Sequence, residues 1–389
     1  MSVIVALFMG MIIAAEEIIK DRKILERESF LNLNKSAYLL SKVAMIFILS
    51  AIQMFLFVVV GNLIMEVKGM NFSYWLILFS TACFANMLGL NISDGLRSVV
   101  AIYVVVPFLL VPQILLAGVI VEFDKLHYQL ASHEKVPVSG DLMASRWAYE
   151  ALAVNQFVNN KYQEDLYEIE MAESNVTYDM QFLVPALVQE IRDARALYTA
   201  NPSHPELNQL VRMIRSGMES IYLSGPCPWM DRIRPGEFTP SAGEEAIQWL
   251  QDYQDRLSRQ RKILNYEKDD LIDSLKHAAG GPEQYLRFKR AYHNEKLADL
   301  VLNRTELHKI VQRDAKLIRK MEPVYMYPQS RNGRAHFYAS LKRVGNLYLS
   351  TLTFNLMAVW LMTVVLYFLL QFSVLRKVLE CFAEIKRNR

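Results

Sequence analysis

The side chains that most often carry catalysis are present in this 389-residue chain, but they form no recognisable pattern. Its seven histidines are scattered, and no two have the four-residue spacing, with a glutamate between, of a helical zinc site. No glycine precedes a lysine that is followed by serine or threonine, so the sequence has no phosphate-binding P-loop. Asp269 and Asp270 are adjacent carboxylates, but neighbours in a helix point in different directions. We therefore predict no catalytic, metal or cofactor site in this chain.

Four amide side chains lie inside long apolar runs, where a polar group without a hydrogen-bond partner is energetically costly. They are Gln53, Asn86, Gln113 and Asn355. Such amides either line a polar path through the membrane or join helices by hydrogen bonds worth roughly 0.6 kcal/mol each. Both interpretations stay open at this point.

The segment 16–36 is densely charged and yet carries isoleucine, leucine and phenylalanine side chains. A charged amphipathic stretch between two apolar runs can lie at the membrane interface. One interpretation is a coupling helix that transmits the motion of a cytoplasmic ATPase to the spans. The other is an ordinary interfacial loop whose charges set the topology.

The apolar residues are concentrated at the two ends of the chain, although its mean hydropathy is only +0.12. A membrane span needs roughly 20 apolar residues, because a helix rises about 1.5 Å per residue. We predict full spans at 38–65, 74–92, 99–121 and 347–375. A fifth apolar run at 2–15 is short for a span. It is not a signal peptide, because a signal peptide has a basic region before its apolar run and this segment has none. We expect it to be the end of a span whose beginning is missing.

Basic residues beside the apolar runs predict the orientation in the membrane. They concentrate at 20–35, at Arg97 and at 376–389, whereas the alternate side has only Lys68 in its short loop. The positive-inside rule places these three basic regions in the cytoplasm. The polar segment 122–345 then lies outside the cytoplasm, and the C-terminus lies inside.

The polar segment 122–345 is predicted to be mostly helical. Leu207, Val211, Ile214 and Met218 recur every three or four residues, which is one apolar helix face. We therefore predict an all-α, polytopic membrane protein with about five spans and a large helical extracytoplasmic insert. Its three regions are the spans with their coupling segment (1–121), the insert (122–345), and the last span with a basic tail (346–389).

Several short motifs resemble the permeases of ABCG-type ABC exporters, and they occur in the same order. They are DRKILERE at 21–28, YLLSK at 38–42, PQILLAG at 112–118, and SRWAYEAL at 145–152 with NQF at 155–157. The first resembles the E-R-x-x-F-x-R-E segment of that family, with aspartate and leucine substituted. The amino-acid sequences of several stretches resemble those of large ABC proteins of the Bacteroidetes type. This resemblance implies a bacterial inner membrane and a periplasmic insert.

The resemblance implies the permease part of an exporter. ATP would be used by an ABC ATPase domain or subunit, and this chain would bind no cofactor itself. A second permease half, as a homo- or heterodimer, and membrane lipid are the implied partners; no nucleic acid is expected. The residues that would couple to the ATPase are Ile18, Asp21, Arg22, Arg27 and Glu28, and the four amides would line a substrate path between the halves.

The family has six spans per half, an ATPase domain before the first, and a short loop where this chain has its insert. The chain is therefore expected to lack the ATPase and at least the first span. One alternative function is a non-transport membrane anchor that presents a helical periplasmic binding or scaffold domain. Another is a truncated fragment without activity.

Overall fold

The computed structural model describes residues 1–28, 34–96, 98–121, 123, 135–202, 204–221 and 230–387. The α-helices are α1 (Ser2–Ala15), α2 (Glu17–Glu28), α3 (Lys35–Ile64), α4 (Asn71–Gly95), α5 (Val99–Leu115), α6 (Val138–Asp141), α7 (Ala144–Val158), α8 (Tyr167–Tyr178), α9 (Val184–Ala200), α10 (Pro205–Ile221), α11 (Pro240–Ala278), α12 (Pro282–Tyr292), α13 (Glu295–Val301), α14 (Thr351–Gln371) and α15 (Val374–Arg387). The strands are β1 (Ile310–Arg313), β2 (Lys316–Arg319), β3 (Leu341–Val344) and β4 (Leu347–Ser350).

The chain forms two compact units. One consists of Met1–Asn160 together with Pro328–Arg389, and the other is Lys161–Tyr327. The first contains every apolar helix that the sequence predicts as a span. The second lies within the segment predicted as the insert.

Within the described parts of the chain, four helices are long and apolar enough to cross a membrane. They are Ser2–Arg22, Lys35–Ile64, Asn71–Gly95 and Thr351–Gln371. The prediction of a polytopic helical membrane protein is confirmed by these four.

The N-terminal apolar run was predicted to be too short for a span, and this prediction is wrong. Helical hydrogen bonding continues past Glu16, because the N–H of Lys20 donates to the carbonyl of Glu16 at 3.0 Å. The two side chains also form an ion pair at 2.7 Å, so their charges offset each other at the end of the helix. Taken together, α1 and the first residues of α2, Ser2–Arg22, are therefore long and apolar enough to cross a membrane.

The predicted span 99–121 is also wrong in its extent. Helix α5 has 17 residues and ends at Leu115, with Pro107 and Pro112 inside it. Three residues later the backbone of Gly118 has a φ of 78°, which a right-handed helix does not allow. At about 1.5 Å per residue, α5 is shorter than the roughly 30 Å core of a bilayer.

The prediction of an all-α fold is wrong at two antiparallel hairpins. Strands β1 and β2 are joined by two residues with positive φ, and β3 and β4 are joined by Gly345-Asn346, with a φ of 60° at the glycine. Both are the two-residue turns that match the twist of a hairpin. The last span therefore begins at Thr351 rather than at 347, and the Ser350 hydroxyl caps it by accepting from the N–H of Thr353 at 3.2 Å.

Helix α4 is the central span of its unit, since most of its apolar stretch is buried. It packs against α1 where both helices carry a glycine. A Cβ at Gly10 would lie 2.7 Å from the carbonyl oxygen of Ala82, and a Cβ at Gly89 would lie 2.8 Å from that of Met11. Small residues let helix backbones approach closely in a membrane.

We expect Gly89→Val to destabilise the helix bundle by about 1–3 kcal/mol, the usual cost of overpacking a tight contact. The matched control is Gly61→Val in α3, because a Cβ there meets nothing within 4 Å. The measurement is the midpoint of unfolding in detergent. Equal midpoints for the two variants would contradict the close approach of α1 and α4.

The unit Lys161–Tyr327 has its own apolar core, built from α9, α10 and α11. The predicted apolar face of α10 is confirmed: Val211, Ile214 and Met218 are fully buried in this core. They pack with Leu187 of α9 and Leu250 of α11. A region of this length can therefore hold a core independent of the spans.

Candidate coupling helix and buried charge cluster

Helix α2 occupies most of the charged segment and is attached to α4 by hydrogen bonds. The N–H groups of Ile18 and Ile19 both donate to the hydroxyl of Ser93, at 3.1 and 3.0 Å. The guanidinium of Arg22 donates to the carbonyl oxygen of Asp94 at 2.8 Å. The first N–H groups of a helix have no partner within it, so these bonds both satisfy α2 and fix its position.

The same helix is joined to α3 by ion pairs. The ammonium of Lys42 lies 2.8 Å from the carboxylate of Asp21 and 3.0 Å from that of Glu17. The hydroxyl of Tyr38 donates to Asp21 at 3.0 Å. Helix α2 is thus bound to two long spans at once, and a displacement of α2 must act on both.

The residues predicted to couple to an ATPase fall into two groups. Ile18, Asp21 and Arg22 contact other helices of the bundle, and Ile18 is only 4% exposed. Arg27 is exposed, and so is Ile24, at 53%. Glu28 ends the helix, but its side chain and residues 29–33 of the predicted segment lie outside the described residues. The exposed face of α2 is therefore the part available to a partner.

Two of the four predicted substrate-path amides lie near one contact between α3 and α4. The side chain of Asn86 donates to the hydroxyl of Ser50 at 2.8 Å, and both residues are fully buried. Gln53 lies nearly one turn along α3 from Ser50. The side-chain oxygens of Asn86 and Gln53 are buried without a hydrogen-bond partner among the described residues.

The other two amides join α7 to α5 and to α14. The side-chain oxygen of Gln113 in α5 accepts from the N–H of Ser145 at 3.0 Å. Asn355 in α14 donates at 2.9 Å to the carbonyl oxygen of Trp147 and at 2.9 Å to the carboxylate of Glu150. The described hydrogen bonds therefore use Asn86, Gln113 and Asn355 in links between helices.

A buried cluster of charges lies where α7, β3 and the start of α14 meet. Glu150 and Lys342 are both fully buried, and their charged atoms are 2.7 Å apart. Arg146 is 2% exposed; its guanidinium lies 3.6 Å from the Glu150 carboxylate and stacks 3.8 Å from the ring of Trp147. One carboxylate therefore faces two cations and also accepts from Asn355.

The surroundings of this cluster shift the pKa values of its members. Burial alone would raise the pKa of Glu150, but Arg146 and Lys342 outweigh it and lower the pKa. Burial lowers the pKa of Lys342 to about 8, even though Glu150 opposes this shift. Glu150 is therefore ionised at neutral pH, and Lys342 loses its proton far more easily than an exposed lysine does.

This shift predicts a pH dependence of stability that Lys342 alone should cause. An unfolded lysine has a pKa of about 10.4, so between its folded pKa of about 8 and that value the unfolded state binds more protons. The free energy of unfolding should therefore rise from pH 8 to pH 10 in the wild type relative to Lys342→Met. Parallel pH profiles of the two proteins in detergent denaturation would contradict the burial of a charged lysine.

The sequence analysis did not predict this cluster, although the spacing of two of its residues could have indicated it. Arg146 and Glu150 are four residues apart in an otherwise mostly apolar helix, which places them on one face. Lys342 follows nearly two hundred residues later, in a strand within the segment that was predicted to be mostly helical. Among the described residues, no group of three His, Cys, Asp or Glu could hold a metal ion.

Comparison with known proteins identifies the part of the chain that contains α1 to α6 and nearly all of α7. Residues 1–157 match the family described as ABC-2 type transporter. No curated protein and no solved structure matches the chain. ABC-2 permeases work with ABC ATPase subunits. Residues 1–157 of this multi-pass membrane protein are thus an ABC-2 type transporter membrane domain, the membrane permease component of such a transporter.

Proposed function

We propose that this chain is the membrane half of a bacterial ABC exporter and that its exposed α2 face receives the ATPase. The ATPase hydrolyses ATP in the cytoplasm, and a second permease half, identical or related, completes the substrate path. The bundle lies in the inner membrane with the C-terminus in the cytoplasm. The unit Lys161–Tyr327 lies in the periplasm. The observation that carries the proposal is the attachment of α2 to two spans.

The division of α2 into a bound face and an exposed face supports this role. A coupling helix must bind the spans with one face and present its other face to the ATPase. Asp21 and Arg22 serve the first need through their contacts with α3 and α4. Ile24 and Arg27 are exposed and offer the ATPase an apolar side chain beside a positive charge.

Basic residues at the ends of the spans support the orientation. Lys35 donates to the carbonyl oxygen of Gln371 at 3.2 Å, so the start of α3 and the end of α14 lie on the same side. The amphipathic α15 follows directly and carries Arg376 and Lys377 in its first turn. Lysine and arginine concentrated at the same membrane face favour the cytoplasm.

Co-purification tests the proposal. A tagged chain, extracted from membranes of its native host in a mild detergent, is expected to recover an ABC ATPase. The double variant Ile24→Asp/Arg27→Glu should reduce that recovery at least roughly tenfold, because it replaces the exposed apolar side chain by a charge and reverses the charge beside it.

The matched control is Ile263→Asp/Arg259→Glu on the exposed side of α11, which should leave recovery unchanged. Recovery of no ATPase by the wild-type chain would overturn the proposal and favour the alternative of a membrane anchor. Equal recovery by wild type and the α2 variant would move the docking site elsewhere.

A further inference from the structure

A cavity of about 270 Å³ lies within the unit Lys161–Tyr327, between α8, α11 and the residues that follow α13 and β2. This volume is slightly below the usual range for ligand pockets and suits a small metabolite. Its charged lining consists of Glu170, Glu173, Arg261, Lys268, Arg304 and Glu322. The lining therefore carries equal numbers of acidic and basic groups.

One side of the cavity is paired internally. The ammonium of Lys268 lies 2.8 Å from Glu173 and 3.3 Å from Glu170, and the hydroxyl of Tyr325 donates to Glu170 at 2.7 Å. Burial alone would lower the pKa of Lys268, but the two glutamates outweigh it and raise the pKa. This pair of carboxylates is thus already held in place by one cation.

Arg261 differs from Lys268, because its Nε is buried and has no hydrogen-bond partner among the described residues. Buried polar groups in proteins are nearly always hydrogen-bonded, so this donor indicates a missing acceptor. The planar guanidinium is suited to a carboxylate that accepts two parallel hydrogen bonds. Arg304 lines the same cavity as a second cation, and its guanidinium is paired with the carboxylate of Asp299 at 3.0 Å.

Glu322 supplies an acidic group to the cavity that Lys268 does not hold. Its backbone lies in the left-handed region, with a φ of 48°, at the start of the short 3-10 helix Pro323–Tyr325 that follows β2. The hydroxyl of Ser174 donates to its carboxylate. Leu302 and Met321 give the cavity an apolar wall beside these charges.

We propose that this cavity binds a small zwitterion with a carboxylate, an ammonium group and a short apolar chain, the chemistry of a free amino acid such as leucine. Arg261 receives the carboxylate, Glu322 receives the ammonium group, and the apolar chain lies against Leu302 and Met321. The balanced lining offers no net attraction to a simple anion or cation. A zwitterion can satisfy both signs of charge at once.

Titration calorimetry on the full-length chain in detergent tests this with three probes. L-leucine is expected to bind; 4-methylpentanoate lacks its ammonium group, and 3-methylbutylamine lacks its carboxylate. Each truncated probe should bind at least about tenfold more weakly, since each loses a charged hydrogen bond worth more than the 1.4 kcal/mol of a tenfold change. An absence of heat with L-leucine, or equal binding of either truncated probe, would overturn the assignment.

Arg261→Gln should weaken the binding of L-leucine at least about tenfold, by the same loss of a charged hydrogen bond. The control is Arg259→Gln, on the same helix but at an exposed position, which should bind as the wild type does. Unchanged thermal unfolding of both variants without ligand shows that they are folded. Unchanged leucine binding in Arg261→Gln would overturn the proposal, whatever the outcome of ATPase co-purification.

Discussion

Replacement of Glu150 by glutamine is expected to lower the free energy of unfolding by about 3–5 kcal/mol. The change leaves Arg146 and Lys342 with no carboxylate between them. Both side chains are at most 2% exposed, so water cannot take the place of the lost carboxylate. Asn355 also loses a charged acceptor. The measurement is chemical denaturation of the full-length chain in detergent at pH 7. The matched control, Glu380→Gln, removes an exposed ion pair at 3.2 Å and should cost less than about 1 kcal/mol.

Removal of the lysine and removal of the glutamate should lower the free energy of unfolding by different amounts. Lys342→Met should cost less than Glu150→Gln, because Glu150 keeps Arg146 at 3.6 Å and its bond from Asn355. The double variant should be less destabilised than the sum of the single variants, because it removes both members of a pair. Additive costs would show that the two residues do not interact.

Loss of the α2 attachments is expected to uncouple the spans from the ATPase. The double variant Arg22→Ala/Ser93→Ala removes the bonds from α2 to Asp94 and to the hydroxyl of Ser93. A hydrogen bond to a charged group contributes about 1.5–3 kcal/mol, so coupling should fall roughly tenfold or more. The ATPase should still co-purify, because the exposed face of α2 is unchanged.

The readout for uncoupling is the labelling rate of a single cysteine, Tyr348→Cys, with and without ATP and vanadate. This position is exposed at 52% in β4, which leads directly into α14. The control variant Ser41→Ala loses a hydroxyl that donates only within its own helix, and should keep the ATP-dependent change. A full ATP response in Arg22→Ala/Ser93→Ala would show that α2 transmits no motion through α4.

The spans could be predicted from the sequence because hydrocarbon imposes a length and a composition that few other structures share. The charged segment that became α2 was visible for the same reason, since its charges interrupt two apolar runs. The limits of α5 and α14 were not visible, because they depend on a turn near Gly118 and on the pairing of β4 with β3. Both are local backbone events that composition does not report.

The contacts of the polar residues could not be predicted, because they join parts of the chain far apart in sequence. Nothing near Lys342 indicates that it meets Glu150, and nothing near Ser93 indicates that it accepts from α2. The predicted path residues were identified by type alone. Their partners, such as Ser50 and Ser145, decide what each amide does, and partner choice is a property of the fold.

Cysteine accessibility in intact cells most directly tests the account, which needs α2 and the unit Lys161–Tyr327 on opposite sides of the membrane. In a background of Cys83→Ala, Cys227→Ser and Cys381→Ser, a single cysteine is placed at Arg27 or at Arg259, both exposed. A membrane-impermeant maleimide should label position 259 in cells with a permeabilised outer membrane, and position 27 only after the inner membrane is opened. Labelling of position 27 from outside, or protection of position 259, would contradict the coupling role of α2.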